Sequence, residues 1–189
     1  MATGHEEHRN PAVARAGTGD AVVGQRNVLL LQGLMGPFFR ELGKGLTARG
    51  HNVLKVNFNG GDRAYWRLPN GIDYRGSLAE WPEAFAGLLT KHQISDVILF
   101  GDCRDHHLSA VEICRARDIA IWVFEEGYIR PDWVTLENGG VNGHSQLSRD
   151  PEWYRARAAD LPPLAQHQKV PSSFRTRAVQ GLWYNVADV

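Results

Sequence analysis

The chain has 189 residues, of which 43% are hydrophobic, so it can form one globular domain with tails. Its 21 basic and 21 acidic residues balance, which excludes nucleic-acid binding driven by net charge. No run of about 18 apolar residues occurs, so we expect no transmembrane helix.

The N-terminal segment is polar and lacks the apolar core of a signal peptide, so we predict a flexible leader over residues 1–26. The two cysteines, Cys103 and Cys114, form no CxxC pair, and one of them falls inside a predicted helix. This pattern is typical of a protein without disulfides in a reducing cytosol.

Four short apolar runs predict β-strands, at residues 27–32, 53–58, 97–100 and 119–124. A segment with helical periodicity lies in each of the three intervals between these four runs. Strands that alternate with helices form βαβ units and a parallel sheet. The sequence therefore predicts an α/β fold over residues 27–160, with a Rossmann-like parallel sheet and helices on both faces.

The predicted helices have recognisable ends and faces. The first begins near Pro37 and ends at Gly50, and the second begins near Pro82. The third carries Leu108, Val111 and Cys114 on one face. Residues 63–80 follow the second strand and show no clear hydrophobic periodicity. We predict a long functional loop there.

The segment after the fourth strand changes character. It has turn signals but no long apolar run, so we expect it to wrap across the carboxyl edge of the sheet. A short helix is predicted at residues 151–160. Residues 161–189 are predicted to form a helical tail, with a helix around residues 174–184.

Acidic residues follow two neighbouring predicted strands at the edge where ligands bind in open α/β sheets. Asp102 comes after one strand, and Glu125 and Glu126 end the next. Parallel strands lie about 4.8 Å apart, and carboxylates about 5 Å apart suit a double displacement at an anomeric carbon. We predict Asp102, Glu125 and Glu126 as catalytic residues, with only one glutamate pointing inward.

Three other patterns allow two interpretations each. Gly33 and Gly36 could let a helix N-terminus approach an anion, or could form a steric turn. The polar loop at residues 57–62 could bind sugar hydroxyls or be a plain turn. The polar group at residues 102–107 could suggest a metal, but adjacent helical histidines point about 100° apart, and Asp105 suits a helix N-cap. We therefore predict no metal and no cofactor.

Several short segments, in this order, resemble the capsular polysaccharide biosynthesis and export family: QGLMGPFF, KVNFNGGD, IDYRG, WP, FGDCR…H, FEEGYIRPDWVTLE, GGVNG and RDPEWY. The match covers about Val28 to Tyr154. Members of this family include β-Kdo transferases that build the lipid-linked Kdo linker of bacterial capsules.

The resemblance implies one half of a two-domain glycosyltransferase-like fold, with CMP-Kdo as donor. The acceptor would be a phosphatidylglycerol-type lipid or a Kdo oligosaccharide at the cytoplasmic face of the inner membrane, with a capsule export complex as a possible partner. Asp102 matches the nucleophile position, and Glu125 or Glu126 matches the acid/base. The family is about twice this length and carries a His-Pro motif for the donor, which this sequence lacks. The sequence thus resembles the N-terminal, acceptor-side half.

From the motifs and the topology together we predict these substrate-binding residues: Gly33, Gly36, Asn57, Asn59, Gly60, Asp62, Arg104, His107, Arg130 and Asn142. Two other functions fit the sequence. One is a non-catalytic glycan-binding or assembly module of the capsule export system. The other is a small hydrolase or metal enzyme that uses the polar group at residues 102–107.

Overall fold

The computed structural model describes residues 24–127, 133–158, 161 and 174–188. The described strands are β1 Asn27–Leu30, β2 Asn52–Asn57, β3 Gly71–Asp73, β4 Asp96–Phe100, β5 Ala120–Glu126 and β6 Val134–Asn138. The described α-helices are α1 Phe38–Ala48, α2 Gly60–Trp66, α3 Trp81–Lys91, α4 Asp105–Ala116, α5 Pro151–Ala158 and α6 Phe174–Asp188. A single 3₁₀ turn spans Asn142–His144 in this part of the chain. Most of the predicted leader, residues 1–23, lies outside the described residues.

The strands form one sheet in the order β3-β2-β1-β4-β5-β6, which is the strand order of Rossmann domains. Strands β1 to β5 pair in parallel, and β6 runs antiparallel to β5. The four predicted strands and their parallel pairing are confirmed. The order reverses between β1 and β4, so the carboxyl ends of these two strands flank the topological switch point.

The structure differs from the prediction in two segments that lack a long stretch of hydrophobic periodicity. The loop predicted at residues 63–80 is wrong, because α2 and β3 lie within residues 60–73. Two glycines at the start of α2 and a strand of only three residues leave little periodicity to detect. The helix begins because Asn59 is its N-cap and accepts a hydrogen bond from the Asp62 N–H at 2.8 Å. The segment after β5 forms an edge strand, β6, before it turns back.

Helices cover both faces of the sheet, as predicted. On one face α3 and α4 bury Trp81, Phe85 and Cys114 against alternate residues of the central strands. On the other face Phe39 of α1 and Trp66 of α2 pack on the intervening residues. The central strands are buried on both sides, which explains their continuous apolar runs.

The predicted apolar face of α4 is correct at Val111 and Cys114 but wrong at Leu108, which is 45% exposed. The buried stripe of α4 instead starts one residue earlier, at His107, and continues through Ala110. A polar histidine therefore takes a core position that hydrophobic periodicity assigned to leucine.

The start of α3 follows a capping box that ends just before the helix. Ser77 N–H donates to Glu80 Oε2 at 2.8 Å, and Glu80 N–H donates to Ser77 Oγ at 3.3 Å. The regular helix begins at Trp81, with Pro82 in its first turn, where a missing N–H costs nothing. The predicted start near Pro82 is confirmed within one residue.

Helix α6 packs across the carboxyl ends of β1 and β2. A Cβ atom on Gly60 would lie 1.7 Å from the Ala187 carbonyl oxygen, and one on Gly61 would lie 2.6 Å from the Tyr184 ring. Tyr65 Oη also donates to the Gln180 carbonyl oxygen at 2.9 Å. The two glycines at the start of α2 are therefore needed for the close approach of α6.

Replacing Gly60 by alanine should detach α6 from α2, because the added methyl group would overlap the backbone of α6. We expect faster amide hydrogen exchange throughout residues 174–188, with little change in the central strands. Gly87→Ala in α3 is the matched control, since no atom lies within 4 Å of its Cβ position. That control should keep α6 protected and gain about 0.5–1 kcal/mol of stability. Unchanged exchange in α6 of the Gly60 variant would contradict this packing.

Because the sequence resembles one half of a two-domain fold, we also predict an exposed apolar patch around Trp183 and Tyr184, and the structure supports only half of it. Trp183 is 48% exposed, whereas Tyr184 is buried at 8%. Other apolar residues of α6 are exposed, namely Phe174, Val179, Leu182 and Val186. Among the described helices, none combines the length and apolar character needed to cross a bilayer.

Candidate functional site

The switch point is bridged by one side chain. Arg104, which follows β4, donates from Nη1 to the carbonyl oxygen of Gly33, which follows β1, at 3.3 Å. In open α/β sheets, ligands bind outside the carboxyl ends of the strands at this point. Predicted site residues from two strands therefore meet where the topology favours a ligand.

Asp102 lies on the neighbouring turn and is 4% exposed. Gly101 directly follows β4 and has a φ of 67°, a left-handed conformation that suits glycine. Asp102 Oδ2 accepts a hydrogen bond from the Val141 N–H at 3.1 Å and lies 3.1 Å from His144 Nδ1, and Oδ1 accepts from the Cys103 thiol at 3.3 Å. Burial by itself raises the pKa of Asp102, but these three hydrogen bonds outweigh it and hold the pKa below its ordinary value.

Strand alternation separates the two glutamates at the end of β5. Val123 and Phe124 belong to opposite faces of the sheet, so Glu125 lies on the face of Val123 and Glu126 on the other. Glu125 Oε2 accepts from Asn142 Nδ2 at 3.5 Å. Because Asn142 directly follows Val141, which binds Asp102, Glu125 is the glutamate that shares a loop with Asp102. We call Asp102, Cys103, Glu125, Asn142 and His144 the carboxylate cluster.

Within the described part of the chain, the carboxylate cluster also brings together three residues of types that bind metal ions. One donor atom each from Asp102, Cys103 and His144 lies within 4.8 Å of the others. His106 is elsewhere, with its ring centroid 4.3 Å from that of Phe58. The predicted N-cap role of Asp105 is wrong, because Asp105 is the first helical residue and Arg104 takes the cap position without a side-chain cap bond.

His107 is fully buried beneath this turn. Its Nδ1 lies 2.6 Å from the Gly101 carbonyl oxygen, and its Nε2 has no hydrogen-bond partner among the described residues. Burial is the largest cause that lowers the pKa of His107 to about 4; the hydrogen bond to Gly101 opposes it, and the positive charges of Arg104 and Lys55 contribute to it. The ring is therefore neutral at pH 7, with Nδ1–H donating to Gly101.

This pKa predicts a loss of stability in acid. The pKa of His107 is below that of an unfolded histidine, about 6.5, so the unfolded chain binds the proton first. The stabilisation is present above pH 6.5 and is lost as the pH falls from 6.5 towards 4, on the order of 3 kcal/mol. His107→Gln should show a smaller fall in unfolding free energy between pH 7 and pH 4.5, measured by urea denaturation. The control His92→Gln should fall as the parent does, and equal slopes in all three proteins would refute the prediction.

A second group of polar residues lies on the β1 and β2 side of the switch point, and we call it the lysine cluster: Gln32, Lys55, Asp62, Arg104 and Tyr184. Lys55 is 3% exposed, and its Nζ lies 3.8 Å from Asp62 Oδ2. Tyr184 Oη donates to Asp62 Oδ1 at 3.1 Å and accepts from Gln32 Nε2 at 3.0 Å. Burial, followed by the charge of Asp62, raises the pKa of Tyr184 to about 12.

The remaining predicted substrate residues have varied surroundings. Asn57 ends β2 and donates to Asp73 Oδ1 at 3.0 Å, while Asn59 caps α2. Gly60 lies under α6, and a Cβ on Gly36, whose φ is 147°, would face Gln180 of α6 at 3.4 Å. Arg130 lies outside the described residues. The predicted single site is thus divided between the carboxylate cluster and the lysine cluster, with Asp62 in the second rather than beside Asp102.

Five residues of these clusters were not among the predicted catalytic or substrate-binding residues: Gln32, Lys55, Cys103, His144 and Tyr184. Lys55 could have been identified from the sequence, because a lone charge inside a buried apolar strand is unusual. His144 and Tyr184 could not, since each meets its partner only through tertiary packing. His144 contacts Asp102, and Tyr184 contacts Asp62.

The fold and the clusters define a class: a Rossmann-like α/β domain whose polar groups converge at the carboxyl edge of a mostly parallel sheet. The family model for the capsule polysaccharide biosynthesis protein matches residues 95–189. The chain belongs to this family, as its short segments suggested.

Curated relatives agree with this assignment. The capsule polysaccharide export protein KpsS of Escherichia coli is 39% identical over 159 residues, which cover 84% of this chain and 40% of that protein. The capsule polysaccharide modification protein LipB of Neisseria meningitidis serogroup A is 38% identical over 149 residues, covering 77% of this chain and 35% of LipB. The chain therefore spans well under half the length of these relatives.

Among solved structures, the Bordetella bronchiseptica enzyme WbmH in complex with NAD+ aligns with 51% of this chain and 37% of its own, at 17% identity and a TM-score of 0.40. This similarity is too weak to carry a functional statement.

Proposed function

We propose that this chain supplies the acceptor-side part of a retaining β-Kdo transferase in capsule polysaccharide biosynthesis. CMP-Kdo is the proposed donor, and a lipid-linked or Kdo-oligosaccharide acceptor binds at the cytoplasmic face of the inner membrane, with a capsule export complex as a partner. One observation carries the proposal: Asp102 and Glu125 are bound by the consecutive residues Val141 and Asn142 at the carboxyl edge.

The proposed chemistry is a double displacement. One carboxylate attacks the anomeric carbon of the donor while the cytidine monophosphate leaves, which forms a glycosyl–enzyme ester. The second carboxylate then takes the proton of the acceptor hydroxyl as its oxygen displaces the ester. We assign the nucleophile to Asp102 and the acid/base to Glu125, because Glu126 lies on the opposite face of β5.

A second function, a non-catalytic glycan-binding or assembly module, is favoured by a different observation. Asp102 is almost fully buried and its two oxygens bind three neighbours, an arrangement that can simply hold the loop at residues 139–146. A glycan-binding assay run beside a donor-turnover assay on the same protein separates the two functions. Binding without turnover in a full-length protein would reject the transferase proposal.

The isolated chain should bind the donor weakly, because no dinucleotide fingerprint or P-loop occurs in its sequence. Calorimetry with cytidine monophosphate and residues 1–189 should give no dissociation constant below the millimolar range. Uridine monophosphate serves as the control for non-specific binding. Micromolar binding of the cytidine nucleotide would contradict this expectation.

A further inference from the structure

We propose that Lys55 and Arg104 form a binding site for a small oxyanion, the carboxylate of an acidic sugar or a phosphate headgroup. The site lies at the switch point between β1 and β4, next to the Gly33–Gly36 turn. The anion site is inferred from the burial, contacts and charges of Lys55, Asp62 and Arg104. Its link to an acidic sugar or lipid headgroup rests on the proposed function.

Lys55 is a buried cation. Lys55 is 3% exposed in the middle of β2, a position that apolar residues normally take. A buried ammonium group is costly unless it is well paired, and proteins keep such groups most often at functional sites. Nζ donates to the Val56 carbonyl oxygen and to Asn57 Oδ1, which satisfies hydrogen bonds without balancing the charge.

The carboxylate beside Lys55, that of Asp62, already accepts hydrogen bonds from other groups. Asp62 Oδ2 accepts from the Phe58 N–H at 3.0 Å, and Oδ1 accepts from Tyr184 Oη at 3.1 Å. The distance from Lys55 Nζ to Asp62 Oδ2 is 3.8 Å, which exceeds a hydrogen bond. Asp62 therefore acts on Lys55 mainly through its charge.

The positive charges of the lysine cluster outnumber its negative charge. Burial is the largest cause that brings the pKa of Lys55 to about 8; the charge of Asp62 opposes this shift, and the charge of Arg104, which donates to the Gly33 carbonyl oxygen, adds to it. Asp73 also acts on Lys55, but it pairs with the exposed Arg63 and Arg75 at 3.3 and 3.7 Å. With His107 neutral, the lysine cluster has two cations and one anion, so a bound oxyanion would bring it to neutrality.

Lys55 borders a small cavity. Gly33, Gly36, Asp62 and Tyr184 line it with Lys55. Its volume is about 10 Å³, which is room for about one water molecule. A bound oxyanion would therefore place a single oxygen atom beside the buried ammonium group.

The test uses the chain with ¹³C-labelled lysine, which is practical because it contains only four lysines. Inorganic phosphate, free Kdo and the methyl ester of Kdo are titrated in turn and followed by NMR and calorimetry. Phosphate or Kdo should shift the Lys55 signal and raise its pKa above about 8, because an anion favours the charged ammonium. The uncharged ester should bind at least tenfold more weakly than the acid. Tighter binding of Kdo than of phosphate identifies an acidic sugar, and the reverse order identifies a phosphate headgroup.

Variants separate this site from other basic residues. Lys55→Met should weaken anion binding at least tenfold, whereas Lys44→Met, on the exposed face of α1, should leave it unchanged. If Lys55→Met unfolds, the double variant Lys55→Met, Asp62→Asn removes both buried charges and should fold without binding the anion. A folded variant that binds as tightly as the parent, an unmoved Lys55 signal, or equal binding of acid and ester would overturn the proposal. If Lys55→Met loses the anion as expected but a full-length family member shows no turnover, the anion site stands and only the transferase function is rejected.

Discussion

If the proposed transferase function is correct, Asp102→Asn should lower turnover a thousandfold or more, on the order of 4 kcal/mol at the transition state, in a full-length family member. An amide keeps the shape of the carboxylate but cannot act as a nucleophile. Binding of the acceptor should change little, because the amide oxygen still accepts a hydrogen bond. The assay follows Kdo transfer from CMP-Kdo at saturating acceptor.

The structure offers a competing role for Asp102 that the same variant tests. If Asp102 only anchors the loop through Val141 and His144, its replacement should lower the melting temperature and leave turnover near normal. His144→Gln is the matched control, since it weakens the same anchor but keeps the Asp102 carboxylate in the protein. A large loss of turnover in Asp102→Asn but not in His144→Gln supports catalysis, and equal small effects would reject it.

Trp81→Ala should lower the free energy of unfolding by about 5 kcal/mol. Trp81 is fully buried, with its ring centroid 4.9 Å from those of Phe58 and Tyr74 and 5.1 Å from that of Phe85. Its Nε1 donates to the His106 carbonyl oxygen at 2.8 Å. Removing the ring leaves a cavity and an unpaired acceptor, and the two costs add.

The control for this prediction is Trp183→Ala, because Trp183 is 48% exposed on α6. The loss there should stay within about 1 kcal/mol, as is usual for surface positions. Urea denaturation of both variants provides the comparison. A loss below about 2 kcal/mol for Trp81→Ala would mean that the aromatic cluster can close the cavity.

Much of the fold was predictable because its central strands are buried on both faces. Strands such as β4, Asp96–Phe100, then consist of continuous apolar residues that stand out without any knowledge of partners. The helix between β4 and β5 fixed their parallel pairing, which brought Asp102 and Glu125 to one edge. Short elements were lost because β3 has three residues and α2 begins with two glycines, which leaves no measurable period.

The candidate site was predictable only where its residues follow strand ends. Asp102, Arg104 and the two glutamates were found in this way, since chain order alone sends them to the carboxyl edge. The sequence left open which glutamate faces Asp102, and the structure places Glu125 on that side through the alternation of β5. His107 was a predicted substrate residue, yet in the described structure it is buried in the core face of α4.

By itself the sequence determined the family, the parallel sheet and the edge at which its polar residues gather, because each depends on short segments read in order. Only the tertiary structure divided those residues into a carboxylate cluster and a lysine cluster. Tyr184 meets Asp62 across 122 positions, and His144 meets Asp102 across 42. Such contacts form because burial of whole elements brings distant side chains together, and no local pattern of residues encodes them.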